Sequence, residues 1–255
     1  MTRTARQQSS AGCYHVMLRG VNRQTIFEED ADYEQFLQIL RACKTTSGFY
    51  LLGYALLGNH VHLLIVVEQE PLSTVMRRIA TRYAIYFNKK YERSGHLFQD
   101  RYKSEPVNDD RQLLSVLRYI LQNPQKAGLE KELGCYRWSS YGDYMRTGDG
   151  PYLTDTARIL SMLSSNEAEQ PALLKEFVKV SDETAHLDDE GIKRPSDRTC
   201  KEMLKRSCGV DTATEIQLLP EEKRDDAIRL LKAEGASIRQ IVRLTGVSFG
   251  VVRTR

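Results

Sequence analysis

Residues 49–67 read FYLLGYALLGNHVHLLIVV, and this segment constrains the fold more than any other. It is apolar and rich in β-branched and aromatic residues. It is broken in the middle by Gly58-Asn59. Two antiparallel strands joined by a tight turn satisfy that pattern.

The segments around this hairpin carry periodicities of their own. Cys13 to Leu18 (CYHVML) reads as a strand, ended by Arg19-Gly20-Val21-Asn22. Asp30 to Lys44 places Tyr33, Phe36, Leu37, Leu40 and Cys43 at helical spacing with acids in the first turn, and Ser47-Gly48 stops it. Pro71 opens a second helix over about 72–91, with Leu72, Val75, Met76, Ile79, Tyr83, Tyr86 and Phe87 on one side. Residues 97–107 (LFQDRYKSEPV) read as a fourth strand. The order β-α-β-β-α-β is the ferredoxin-like arrangement, an α+β fold with an antiparallel sheet. A third helix follows, capped by Asp109 or Asp110 and running to Asn123, where Pro124 is expected to end it.

The character changes after about residue 150. Residues 164–198 are polar, and 182–190 hold Asp182, Glu183, Asp188, Asp189 and Glu190 without a Lys or Arg. Glu221 to Glu234 is amphipathic through Ala227, Leu230 and Leu231, with Gly235 as its stop. GASIRQIVRLTGVSFGVVRTR, residues 235–255, reads as a short helix, a Thr-Gly turn and a second short basic helix. The expected organisation is a tail over 1–12, a catalytic domain over 13–150, a linker over 151–198 and an all-α helix-turn-helix-like domain over 199–255.

The 255 residues carry a net charge of +3, but that total hides a division. Residues 71–103 hold eight basic side chains against Glu92 and Asp100, and residues 236–255 hold four arginines and no acid. Two basic regions flank an acidic one, which suits a polyanionic partner; solvated helix faces would give the same counts. No apolar run approaches the ~18 residues of a membrane span, and the N-terminus has no apolar signal core, so a cytoplasmic, nucleoid-associated protein without a membrane is expected. Cys13, Cys43, Cys135, Cys200 and Cys208 form no CxxC pair, which argues against disulfides and structural zinc.

Two constellations can carry chemistry. In Asn59-His60-Val61-His62, the histidines at i and i+2 share one face of a strand, ~7 Å apart by the strand rise, and can converge on one divalent cation; a solvent-facing pair is the plainer alternative. On the third helix, Tyr119 and Asn123 lie ~40° apart at ~100° per residue, at the edge of the apolar face. There a buried tyrosine with a bonded hydroxyl is the plainer alternative. Taken together, a metal-holding histidine pair, a tyrosine nucleophile and a basic helix bearing Arg78, Arg82 and Lys89 make a phosphodiester-cleaving site. His15 can be aimed either way from its strand, His96 reads as a loop residue, and Tyr83, Tyr86 and Phe87 read as core.

These parts also resemble a known family. YHVMLRGVNRQTIF at 14–27, YALLGNHVHLLI at 54–65, GHLFQDRYKS at 95–104, RYILQNPQKAGL at 118–129 and YRWSSY at 136–141 occur in the order and spacing of the single-tyrosine HUH transposases, in particular the REP-associated group. The resemblance spans about residues 13–145. It implies His60 and His62 as metal ligands, Asn123 as a third, and Tyr119 as the nucleophile, with Mg²⁺ or Mn²⁺ as the metal. It implies a single-stranded DNA hairpin of REP-like type as substrate, a 5′-phosphotyrosine intermediate, and a monomer or homodimer. Arg19, Asn22, Gln99, Arg101 and Lys103 stand at family-typical strand ends as DNA contacts, beside Arg78 and Arg82. Arg239, Arg243 and Arg253 would contact DNA from the tail. A domesticated regulator of the same fold that binds DNA without cutting it is the alternative. An RNA-processing enzyme of this fold would lack a nucleophile of its own.

Overall fold

A computed structural model of the chain describes residues 7–145, 152–180, 187, 195, 197–236 and 238–255, apart from the side chains of Arg198 and Arg239. The elements run β1 (Cys13–Arg19), α1 (Asp30–Ser47), β2 (Tyr50–Leu57), β3 (His60–Val66), α2 (Leu72–Lys90), β4 (Lys103–Val107) and α3 (Asp110–Lys126). The four strands form one antiparallel sheet in the order β2-β3-β1-β4. This is the expected ferredoxin-like topology, with the hairpin at one side and the first strand inside.

Strand alternation divides the apolar residues between two faces. Val16, Leu18, Leu51, Tyr54, Leu56, Val61, Leu63 and Ile65 pack under α1 and α2, with Phe36, Leu40, Val75, Ile79 and Tyr83. Cys13, Leu52, Ala55, Leu57, Leu64 and Val66 face α3, with Leu113, Val116, Leu117 and Ile120. A register shift between Leu51 and Gly53 keeps both faces of β2 apolar. A Cβ on Gly53 would stand 2.8 Å from Leu117 Cδ1, so glycine there lets α3 come close to the sheet. The free edge of β2 is covered by the YRWSSY segment, where Leu56 N–H donates to Trp138 O and Ser140 N–H to Tyr54 O, each at 2.9 Å.

One buried carboxylate ties α1 to α2. Asp32, fully buried, accepts from Lys90 Nζ (2.6 Å), Tyr91 Oη (2.6 Å), Tyr86 Oη (2.9 Å) and the Glu28 N–H (2.8 Å). It also completes a capping box with Glu29. Burial opposes its ionisation, but these donors outweigh burial and hold its pKa below the usual value. Asp32→Ala is expected to cost about 3 kcal/mol, because two hydroxyls lose their acceptor and Lys90 is left with the more exposed Glu29 as its carboxylate partner. Since the folded-state pKa is the depressed one, the stabilisation is complete above about pH 4 and is lost as pH falls toward the folded value. Thermal melts at pH 7 and pH 3 check both points: the gap between wild type and Asp32→Asn should narrow at the lower pH.

Three sequence expectations are corrected. The fourth strand covers 103–107, not 97–107. Met17 pairs with Lys103 and Gly20 bridges Phe98, so residues 99–102 stand opposite only Leu18 and Arg19 and must loop out. Next, α3 does not end at Asn123; Pro124 lies inside it, and Ala127 N–H still closes on Asn123 O at 2.8 Å. Proline removes one donor near the helix end, where only one further turn remains. Lastly, α4 (Tyr141–Met145) precedes the expected linker, which itself contains α5 (Ala157–Leu163) and α6 (Gln170–Lys179). Ile159, Leu174 and Val178 bury themselves in the α3-side core, so 152–180 pack with the sheet and α3. The acidic run at 182–190 lies outside the described residues except for Leu187.

The chain divides into units over Met1–Asp189 and Glu190–Arg255. In the second unit, α7 (Asp197–Cys208), a 3₁₀ turn, α8 (Glu221–Ala233), α9 (Ile238–Thr245) and α10 (Phe249–Thr254) enclose Cys200, Leu204, Ile216, Ile228, Leu231, Ile241 and Val252. Gly246 (φ 69°) makes the turn between α9 and α10. Among the described residues, no helix is long and apolar enough to cross a membrane.

Candidate active site

β3 points His60 and His62 toward α3, because Val61 and Leu63 occupy the opposite face. Their ring centroids are 5.0 Å apart, with the planes at 85°. His60 Nδ1 lies 2.6 Å from Asn59 Oδ1, and the same amide donates through Nδ2 to Arg23 O at 3.2 Å. An amide oxygen only accepts, so the contact places the His60 proton on Nδ1 and the lone pair on Nε2. Burial, and then the charges of Arg19 and Arg23, push the His60 pKa down to about 3, which keeps the ring neutral.

His62 is fully buried beneath α3. Its Nε2 faces Asn123 Nδ2 at 3.5 Å and its Nδ1 faces His15 Nε2 at 3.0 Å. Tyr119 stands one turn before Asn123 on α3, 5% exposed, with its ring centroid 5.6 Å from His62 and 5.8 Å from His15. Lys126 Nζ lies 5.1 Å from the Tyr119 ring centroid. Burial lowers the His15 pKa, partly opposed by Glu105. The helix that carries the tyrosine and the strand that carries the histidines therefore converge on one small polar site inside an apolar interface.

The donor set suits a hard or borderline cation at an open site. Among the described residues, no group of three or more His, Cys, Asp or Glu could hold a metal. The donors that could face a cation are one ring nitrogen each of His60 and His62 and, with the amide turned, Asn123 Oδ1. The remaining positions would fall to phosphate and water oxygens, the usual shell of Mg²⁺ or Mn²⁺ at a phosphate site.

The expected DNA contacts separate into groups. Arg19, at the end of β1, pairs in register with His60, and its carbonyl accepts from Gln99 N–H at 2.9 Å. Asn22 sits exposed in a left-handed turn (φ 53°) together with Arg23 (φ 59°), a strained conformation for non-glycine residues. Gln99 and Arg101 project from the looped-out segment, and Lys103 follows it. Arg78 and Arg82 lie on α2, across the sheet from Tyr119. Arg78 is bound to Glu70 at 2.6 Å and to Ser47 Oγ, and Arg82 Nη1 approaches Cys43 Sγ at 3.7 Å. In the second unit, Arg243 makes two bonds to Asp197 (2.7 and 2.8 Å) that fasten α9 to α7. Arg253 is exposed, and the Arg239 side chain lies outside the described residues.

Sequence reasoning missed Arg23, Glu105 and Lys126. Lys126 was hidden because Pro124 was taken as the helix end, although a continuous helix puts it two turns beyond Tyr119.

Residues 8–123 match the family profile described as transposase, IS200-like. Over these residues, less than half of the chain, the sequence is similar to the IS200-like transposases. The match ends at Asn123 and contains His60, His62 and Tyr119. The fold agrees with a REP-associated tyrosine transposase solved with a REP hairpin: TM-score 0.50 at 17% identity, over 62% of this chain and 96% of that one. A candidate transposase from Deinococcus radiodurans R1 overlaps more loosely, with TM-score 0.34 and 16% identity over 50% of this chain and 97% of that one. No curated protein matches the chain. The matched profile ends before the second unit begins.

Proposed function

We propose that the chain is a metal-dependent HUH-type tyrosine endonuclease and strand transferase that cuts single-stranded DNA beside a REP-like hairpin. The observation that carries this reading is the convergence of Tyr119 and Asn123 on α3 with His60 and His62 on β3. A binding-only protein gains nothing from burying these polar groups together, and burying them costs stability.

In this reading the Tyr119 hydroxyl attacks phosphorus. The new bond is Tyr119 Oη–P, and the bond to the 3′ oxygen breaks. The products are a 5′-phosphotyrosine and a free 3′-hydroxyl, and the phenolic proton is passed out as the leaving oxygen takes one up. Free tyrosine ionises near pH ~10, so the Lys126 ammonium over the ring lowers the cost of developing phenolate charge. When bound by His60 Nε2, His62 Nε2 and Asn123 Oδ1, a divalent ion supplies polarisation of a phosphate oxygen and offsets transition-state charge. Because the adduct conserves the phosphodiester, a second 3′-hydroxyl can displace Tyr119 and rejoin the strand.

Arg19, Asn22, Gln99, Arg101 and Lys103 form the proposed strand-binding rim, and Arg253 a contact from the second unit. Arg78, Arg82 and Arg243 are left out because carboxylate or core partners engage them or the sheet separates them from Tyr119. Arg101→Ala and Lys103→Ala should each weaken hairpin binding similarly for all sequences and reduce the salt slope by about one charge's worth, ~0.7 on single-stranded DNA. Fluorescence anisotropy over a salt series checks this.

The test of function is incubation with an end-labelled hairpin oligonucleotide and Mn²⁺. Cleavage that depends on the metal supports the enzyme. Tight hairpin binding without cleavage in Mn²⁺ or Mg²⁺ would instead favour the domesticated regulator.

A further inference from the structure

The α3-facing side of the sheet should be apolar, yet three polar side chains lie across it in a row. Glu105 on β4 is the direct cross-strand partner of His15 on β1. His15 Nδ1 stands 3.7 Å from Glu105 Oε2, and His15 Nε2 stands 3.0 Å from Nδ1 of His62 on β3. His15 and His62 are fully buried, and their rings stack with centroids 5.2 Å apart at 30°. A buried imidazole in place of an apolar residue costs stability unless its nitrogens find polar partners. This one stands between a carboxylate, at 3.7 Å and so an electrostatic contact longer than a hydrogen bond, and the ring expected to hold the metal.

We propose that Glu105 and His15 form a positioning relay that fixes His62 in the tautomer able to bind a metal, with its proton on Nδ1 and its lone pair on Nε2. The inference rests on the metal site proposed above. Its logic is directional. A carboxylate only accepts, so it draws the single proton of the neutral His15 ring to Nδ1. His15 Nε2 is then an acceptor, and the 3.0 Å contact requires His62 to donate from Nδ1. His62 Nε2 is left unprotonated on the side that faces Asn123. No proton is gained or lost along the row; the carboxylate sets its direction. Asn59 performs the same task for His60 with one residue, from the turn that precedes β3. In this proposal His15 and Glu105 act through His62 as positioning residues.

Two readouts test this in the full chain without DNA or activity. Long-range ¹H–¹⁵N spectra of the histidine-labelled protein should show His62 and His15 each protonated on Nδ1. A His62 proton on Nε2 would overturn the relay, whether or not the protein binds metal. Mn²⁺ titration followed by electron paramagnetic resonance should show affinity about 10–100-fold weaker in His15→Phe. His15→Gln, whose amide oxygen still accepts from His62, should recover most of it. Glu105→Leu, at a half-exposed position, serves if His15→Phe does not fold, and should also weaken Mn²⁺ binding. A folded His15→Phe or Glu105→Leu with wild-type Mn²⁺ affinity overturns the relay. A wild type with the expected tautomers but no Mn²⁺ binding overturns the metal site instead.

Discussion

Tyr119→Phe should abolish both cleavage and the covalent protein–DNA adduct, while the protein stays folded and still binds hairpin DNA. The substitution removes one oxygen and keeps the ring. The contacts of that ring with His62, His15 and Lys126 persist, as does its place against Ile120 and Val116 in the α3-side core. Stability should change by no more than about 1 kcal/mol, the worth of one hydrogen bond. The loss in cleavage should be on the order of 10³-fold or more, because no other hydroxyl of the described site can take up the phosphoryl group. Denaturing gels read the cleavage and anisotropy reads the binding. If Tyr119→Phe cuts at the wild-type rate, the nucleophile lies elsewhere and the assignment of α3 is wrong.

His60→Ala and His62→Ala should remove cleavage together with Mn²⁺ binding, by more than the ~10–100-fold typical of groups that act through a ligand. The two variants should differ in stability. His60 is half-buried, and its loss leaves the Asn59 amide oxygen to find water. His62 is fully buried between His15 and Asn123, so its removal strands two polar partners and should cost about 2 kcal/mol. His60→Ala is therefore the cleaner test. Full cleavage by a His60→Ala protein that no longer binds Mn²⁺ would show that the histidines do not serve the reaction.

Much of this was legible because it is periodic. The alternation of β3 puts His60 and His62 on one face, and the helical repeat puts Asn123 one turn after Tyr119. Both follow from local geometry, as does the order of strands and helices through residue 107. What was not legible depends on pairing between distant segments. Whether His15 faces the site is decided by the face that β1 presents beside β3, and the role of Glu105 by the register of β4; no single strand reveals either. The looped-out stretch at 99–102 exists because Phe98 bridges Gly20 while Lys103 pairs with Met17. The strand-like residues Leu97 and Phe98 disguise this in the sequence. Arg23 reaches the site through a left-handed turn that its residue type does not favour. The helices α5 and α6 were read as linker because they are short and polar and contribute only a few buried side chains to the core.

Peptide mapping of the trapped protein–DNA adduct tests the central claim most directly. Trypsin cuts after Arg118 and Lys126, which isolates YILQNPQK with Tyr119 as its only tyrosine. After reaction with a hairpin oligonucleotide and nuclease trimming, this peptide, or the longer one ending at Lys126, should carry a 5′-linked deoxynucleotide on Tyr119. A nucleotide on any other peptide, or cleaved DNA with every peptide unmodified, would contradict the account.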